Sequence, residues 1–250
     1  HHYMGEVDGT VGAWGYSRGG MGSITKAMAA SLKANGGDII AGSPVTKILI
    51  KNNRSHGVVL ENGDEIFADK LVSNLDVKRT FLKVVEKKEL PDDFYNAVKN
   101  FKIRGSSGKL NIALDDLPIW KSIPEGDPAG TGDLHITQSI EEMEGAYDDW
   151  KDGRWSQFPY VDMCIPSIND PTMAPQGKHY MSVFVQYVPY NLADGGWTEE
   201  KRLEFGKHVM SRIGLYSENF NDIIKHAEIR TPKELEKEVG LTEGNIFQGE

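Results

Sequence analysis

Apolar residues recur at helical spacing across residues 23–34, where Ile24, Ala27, Met28, Ser31 and Leu32 share a side. That pattern predicts an amphipathic helix rich in small residues, able to lie close to a sheet. Gly19-Gly20-Met21-Gly22 opens the run and Asn35-Gly36-Gly37 closes it. Three short hydrophobic segments follow, at residues 38–40, 45–50 and 56–60. The last two flank a polar loop at residues 51–55. Glu61-Asn62-Gly63-Asp64 then carries Asn-Gly, a strong hairpin signal, and leads into residues 65–68. The reading is a small antiparallel meander. Residues 70–73 predict a buried strand ending at Asn74 and Asp76, the end of a strand where α/β sheets place ligands. An Asx turn capping the next helix explains the same two residues equally well.

From Val77 the texture changes. Residues 80–85 and 92–101 read as helices joined through Leu90-Pro91, with Pro91 near the second start. Residues 109–114 alternate as a strand, residues 124–133 form a Gly/Pro-rich loop, and residues 134–140 predict another strand. Ser139 and Glu142 give a capping box for a helix through Trp150. Residues 160–165 and 179–188 are the strongest strands. Thr198 caps a helix over residues 198–216, whose apolar positions Leu203, Phe205, Val209 and Ile213 fit one face approximately. Thr231-Pro232 begins a short helix through Val239. The fold class is therefore an α/β unit followed by an α+β part with an antiparallel sheet.

Composition narrows the function classes. A 250-residue chain with 39% hydrophobic and 26% charged residues supports one large core or two modest ones. A net charge of −9 argues against nucleic acid or an anionic membrane as the main partner. No apolar run reaches the roughly 18–20 residues of a membrane span, and no signal peptide is recognisable. Cys164 is the single cysteine, which excludes an intrachain disulfide or a multi-cysteine metal cluster and suits a reducing cytoplasm. Its apolar surroundings predict a small buried hydrophobe.

Candidate chemistry is sparse. The seven histidines include no H-x-x-x-H or H-E-x-x-H pattern, so no metal site is predicted. The pair His1-His2 makes a poor metal site because neighbouring side chains point apart. His135 and His179 stand in strand contexts as structural histidines. G-x-S-x-G is absent. Asp115-Asp116 and Asp148-Asp149 fit loop and helix-surface roles. The glycines before the first helix leave backbone N–H groups that can accept an anion. Their spacing is not G-x-G-x-x-G, and a tight entry turn with close packing is the preferred reading. Phe184, Tyr187, Tyr190 and Trp197 cluster at the end of a strong strand, as core or as the wall of an apolar pocket.

Four blocks together resemble a known family. They are residues 19–24 through Asn35-Gly36-Gly37, then Pro44-Val45-Thr46-Lys47-Ile48, residues 57–63, and Val72-Ser73-Asn74. In order and spacing they resemble the phytoene dehydrogenase and carotenoid isomerase-like flavoproteins of the amine-oxidase-type FAD superfamily. Cys164-Ile165-Pro166-Ser167, Asp170-Pro171-Thr172, residues 186–190 and Gly244-Asn245-Ile246-Phe247 look closer to the pyridine nucleotide-disulfide oxidoreductase domain-containing protein 2 branch. By themselves His1-His2 read either as the stub of an affinity tag or as native sequence; a His-His-x-Met-Gly stretch precedes the glycine block in that branch, so the resemblance implies the native reading.

The resemblance implies FAD as cofactor, with the Val45 backbone near the adenine and Ser73 and Asn74 near the ADP half. Residues 181–188 with Tyr187, and Tyr190 beyond them, would wall the cavity for an apolar small-molecule substrate. Catalytic residues stay unassigned. The implied chemistry is hydride transfer to the flavin or redox-neutral isomerisation, in the cytoplasm or a mitochondrial matrix.

The implied organisation is a substrate-domain tail at 1–13, a partial FAD-binding domain at 14–80, a substrate domain at 81–239, and the start of a further FAD segment at 240–250. The G-x-G-x-x-G unit of the family is missing, so the expectation is a central fragment, inactive alone. A homodimer through an exposed apolar face around Trp14 to Leu32 would follow. The rival reading is a short module that binds an apolar ligand or a partner subunit through the sheet of residues 109–190.

Overall fold

The computed structural model describes residues 6–11, 17–124 and 126–249. His1-His2 and Trp14 lie outside them. A two-stranded ribbon of β1 (Glu6–Val7) and β2 (Thr10–Val11) comes first. Helix α1 (Gly22–Ala34) follows the glycine turn and ends where Gly36 takes φ +81° and its N–H bonds the Lys33 carbonyl. A left-handed residue after a helix is where glycine is favoured. No residue of α1 is buried.

Strands β3 (Val45–Lys51), β4 (Arg54–Leu60) and β5 (Glu65–Phe67) form the expected antiparallel meander in the order β3-β4-β5. The first loop is tighter than expected. Asn52 and Asn53, both at positive φ (52° and 59°), make the turn by themselves, a geometry whose twist matches the strands it joins and which asparagine tolerates. Residues 38–40 and 70–73 are not strands. Ile39, Ile40 and Val72 are exposed, Val72 to 96%. An apolar run becomes a strand only when a neighbour supplies ladder hydrogen bonds, and the described residues supply none there.

A π-helical turn (Arg79–Val84) and α2 (Asp92–Asn100), which starts directly after Pro91, connect to the larger sheet. That sheet contains β6 (Ser107–Leu114), β7 (Leu134–Ile136), β8 (Tyr160–Cys164), β9 (His179–Gln186) and β10 (Ile224–Arg230) in the order β10-β6-β9-β8-β7, all antiparallel. Between them lie α3 (Ile140–Lys151), capped by Ser139, the short α4 (Pro166–Asn169), α5 (Glu199–Gly214), capped by Thr198, and the short α6 (Phe220–Ile223). Helix α7 (Pro232–Val239) closes the series with a full Thr231/Glu234 capping box. The described helices include none long and apolar enough to cross a membrane.

One face of the sheet is dry. Leu110, Ile112, Leu114, Val161, Met163, Met181, Val183 and Val185 pack with Phe205, Val209 and Ile213 of α5. Gly206 lets α5 approach β10, since a Cβ there would overlap Ile229. Two sequence expectations change. Strand β10 was not anticipated, because only Ala227 and Ile229 in its middle turn toward the core. Leu203 is exposed, so the buried stripe of α5 is Phe205, Val209 and Ile213.

Phe205→Ala is expected to destabilise the chain by about 3–5 kcal/mol, and Leu203→Ala by no more than about 0.5 kcal/mol. Urea denaturation of both variants checks the pair.

Candidate functional site

Because strand side chains alternate, packing one face sets what stands on the other. The open face of the five-stranded sheet carries Ser107, Lys109 and Asn111 from β6, and Tyr180, Ser182, Phe184 and Gln186 from β9. It also carries Tyr160, Asp162 and Cys164 from β8, Glu228 and Arg230 from β10, and His135 from β7. Register sorts them into rows. Arg230, Lys109, Phe184, Asp162 and His135 stand side by side across all five strands. Glu228, Asn111, Ser182 and Cys164 make the next row.

Hydrogen bonds tie the rows together. Tyr180 Oη donates to Asn111 Oδ1 at 2.8 Å, and Asn111 Nδ2 donates to Glu228 Oε2 at 2.9 Å. Arg230 meets Glu228 and Glu238, each at 2.9 Å. Tyr160 Oη lies 2.7 Å from His135 Nδ1, itself 3.8 Å from Asp162 Oδ2. Lys109 Nζ donates to Ser182 Oγ. Burial pushes the Lys109 ammonium below the usual lysine range and raises the Asp162 carboxyl, against the pull of His135. Burial likewise raises the Tyr180 phenol. Cys164 is half-buried on this face, which corrects its reading as a buried core hydrophobe. Sequence reasoning passed over Lys109, Asn111, Asp162, Tyr180 and Ser182. The available signal was the polar phase of runs read only for their apolar phase.

The glycine turn before α1 already has its anion. Gly19 N–H donates to Asp170 Oδ2 at 2.5 Å, while Asp170 Oδ1 accepts from the Thr172 hydroxyl (2.6 Å) and N–H (3.0 Å). A Cβ on Gly20 would lie 3.0 Å from Met173 Sδ, so this is the tight, closely packed entry turn. The Thr172 hydroxyl first, then the Gly19 N–H, hold the Asp170 carboxyl below its ordinary range. Asp76 is buried and caps the helical turn through Arg79 N (3.0 Å), while its other oxygen accepts from Thr242 Oγ1 (2.7 Å). The Asx-turn alternative is therefore the one observed.

Val45 begins β3, an edge strand of the meander, and is partly exposed. Ser73 Oγ lies 2.9 Å from Thr80 Oγ1, and Asn74 is exposed one residue on. Tyr187 packs edge-on to Tyr147 with centroids 5.3 Å apart, beside Trp150. Tyr190 Oη donates to Glu236, and burial together with that carboxylate pushes its phenol up to about 12. Both tyrosines follow the end of β9, beyond the rows of the open face.

The family described as flavin containing amine oxidoreductase matches residues 1–217. The chain belongs to that family. Pyridine nucleotide-disulfide oxidoreductase domain-containing protein 2 of Rattus norvegicus is 36% identical over 257 residues, covering 100% of this chain and 44% of that protein. A chloroplastic prolycopene isomerase of Daucus carota is 31% identical over 71% of this chain and 26% of its own length. An oxidoreductase from Methanosarcina mazei shares the fold with TM-score 0.54 at 20% identity, covering 86% of this chain and 43% of that one. Reduced UDP-galactopyranose mutase does so with TM-score 0.54 at 13% identity, over 90% and 43%. The chain thus spans less than half the length of these relatives.

FAD is the cofactor the family implies, and the described residues fit it only in part. Val45 on the edge strand β3 and Asn74 are solvent-exposed. The glycine turn does not fit a pyrophosphate, because Asp170 already takes the Gly19 N–H.

Asp170→Asn is expected to speed hydrogen exchange at the Gly19 amide. Since the native carboxyl titrates below its unfolded value, its contribution is present at neutral pH and lost as pH falls through that lowered value. Exchange measured against pH should show this loss in the parent chain and not in the variant.

Proposed function

We propose that this chain forms the substrate-facing part of an FAD-dependent oxidoreductase of the phytoene dehydrogenase-like type. On this reading residues 14–80 are a partial FAD-binding domain, 81–239 the substrate domain, and 1–13 and 240–250 segments continuing into neighbouring parts of a longer polypeptide. The carrying observation is the open polar face of the five-stranded sheet in a chain of the flavin-containing family. FAD held by the chain would supply a hydride acceptor for a substrate C–H or, in its reduced form, support for redox-neutral isomerisation. The chain's own residues bind and orient. The rows headed by Lys109 and Asn111 present donors and acceptors to the substrate, and the dry core behind holds them in register. Val45, Ser73 and Asn74 are proposed to lie along the cofactor, and Tyr187 and Tyr190 at the margin of the substrate space.

Helix α1 supports the partial-domain reading. It exposes Ile24, Met28 and Leu32, and the meander that follows it in the chain exposes Ile66 and Phe67. Apolar residues at helical spacing normally face a partner. The rival reading, a short module for an apolar ligand, draws on a cavity of about 530 Å³ lined by Leu117, Pro118, Trp120, Ile123, Ile165 and Ile168.

The purified chain, mixed with excess FAD and passed through gel filtration, is expected to emerge colourless. Extended in frame to the length of its relatives, it should emerge with one flavin per chain. Stoichiometric flavin on the short chain sinks the inactivity claim, and none on the extended protein sinks the oxidoreductase reading. Light scattering should show the short chain as a dimer and Met28→Asp as a monomer; a monodisperse parent monomer removes self-association through α1.

A further inference from the structure

The charges on the open face are not evenly answered. Arg230 faces two carboxylates at 2.9 Å, Glu228 and Glu238. Glu228 also takes the Asn111 amide. Asp162 has His135 at 3.8 Å. Lys109 is half-buried, and its ammonium donates to a neutral hydroxyl, Ser182. Among the described residues no carboxylate stands within ion-pairing distance of it. Asp162, in the same row beyond Phe184, acts on it only at longer range.

An ammonium has three N–H donors, and Ser182 uses one. Covering Lys109 with a bare hydrocarbon would strip its remaining water and return nothing. A carboxylate laid there would take the spare donors as charge-assisted hydrogen bonds. The same face holds a second unsatisfied group: Ser107, two residues earlier on β6, is buried, and its hydroxyl has no hydrogen-bond partner among the described residues. Phe184, opposite Lys109 in the β6–β9 ladder, offers an apolar flank.

We infer that Lys109 anchors a carboxylate of the substrate, so that the molecule handled on this face is an organic acid with an apolar body, not a bare hydrocarbon. This rests on the reading of the open face as substrate-facing. It separates the chain from a carotene-handling role that the names of some relatives would carry over. Asp162 and Glu228 close by disfavour more than one negative charge at that end of the ligand.

Calorimetric titration of the full chain with octanoate and octan-1-ol tests the inference. Octanoate is expected to bind roughly tenfold or more tightly than the alcohol, as a charge-assisted contact implies. Lys109→Met should abolish the difference, and Lys109→Arg should keep most of it. In the unmodified chain, octanoate but not octanol should slow acetylation of Lys109 relative to the exposed Lys151, read by peptide mass spectrometry. Equal affinity for acid and alcohol, no octanoate binding, a preference that survives Lys109→Met, or unprotected Lys109 would each overturn it. Neither readout involves flavin, so a failure of the oxidoreductase reading through flavin loss is distinguishable from a failure here.

Discussion

A strand sends alternate side chains to opposite faces, and a one-residue slip exchanges the two sets. In the five-stranded sheet this alternation is locked from behind. Leu110, Ile112, Met181, Val183, Val185 and Val161 are buried against Phe205, Val209 and Ile213, and any slip would drive Lys109 or Ser182 into that dry layer. A misplaced charge in such a layer costs far more than the marginal stability of a domain can absorb. The rows on the open face are therefore held by the hydrophobic core, although none of their members belongs to it.

The smaller part is organised differently. Helix α1 and the meander have little core of their own, with no buried residue in α1 and apolar side chains turned outward. Three carboxylates tie it to the larger part, Glu86 through Lys47 of β3 at 2.9 Å and two others over longer stretches of sequence. Asp170 holds the turn before α1 across 151 residues of sequence, and Asp76 ties the segment after the meander to Thr242 across 166. Such links set position and direction, but they do not replace buried area, which is the main driving term. Helix α1 is thus placed by hydrogen bonds while its apolar residues Ile24, Met28 and Leu32 stay exposed.

Much of the fold was legible because its elements obey local rules. Ser139, Thr198 and the Thr231/Glu234 box start helices where their side chains satisfy free N–H groups. The Asn-Gly turn at 62–63 and the alternation in β6 and β9 were equally local. The losses were non-local. Residues 38–40 and 70–73 have the composition of strands but find no partner among the described residues, and the composition of a segment cannot reveal its partner. Strand β10 was hidden because an edge strand with one half-wet face needs few apolar residues. For the site, the sequence reading followed apolar periodicity and so saw Tyr187 and Tyr190. The residues that form rows were the alternate, polar positions of the same strands, and only register brings Arg230, Lys109 and Asp162 into line from three separate segments.

That register bears on what kind of surface this is. An apolar tunnel wall would need side chains whose burial by a hydrocarbon is favourable, at about 25 cal/mol per Å² of area removed from water. Here the same area would cover an ammonium, a guanidinium, two carboxylates and an amide. The paired groups among them could tolerate cover because hydrogen bonds are already made within the face, from Tyr180 to Asn111, from Asn111 to Glu228 and from the Arg230 terminal nitrogen to Glu228. The balance therefore turns on the unpaired member. A face whose other charges are paired is neutral toward most ligands and selective for one that answers the Lys109 ammonium and the unpartnered Ser107 hydroxyl.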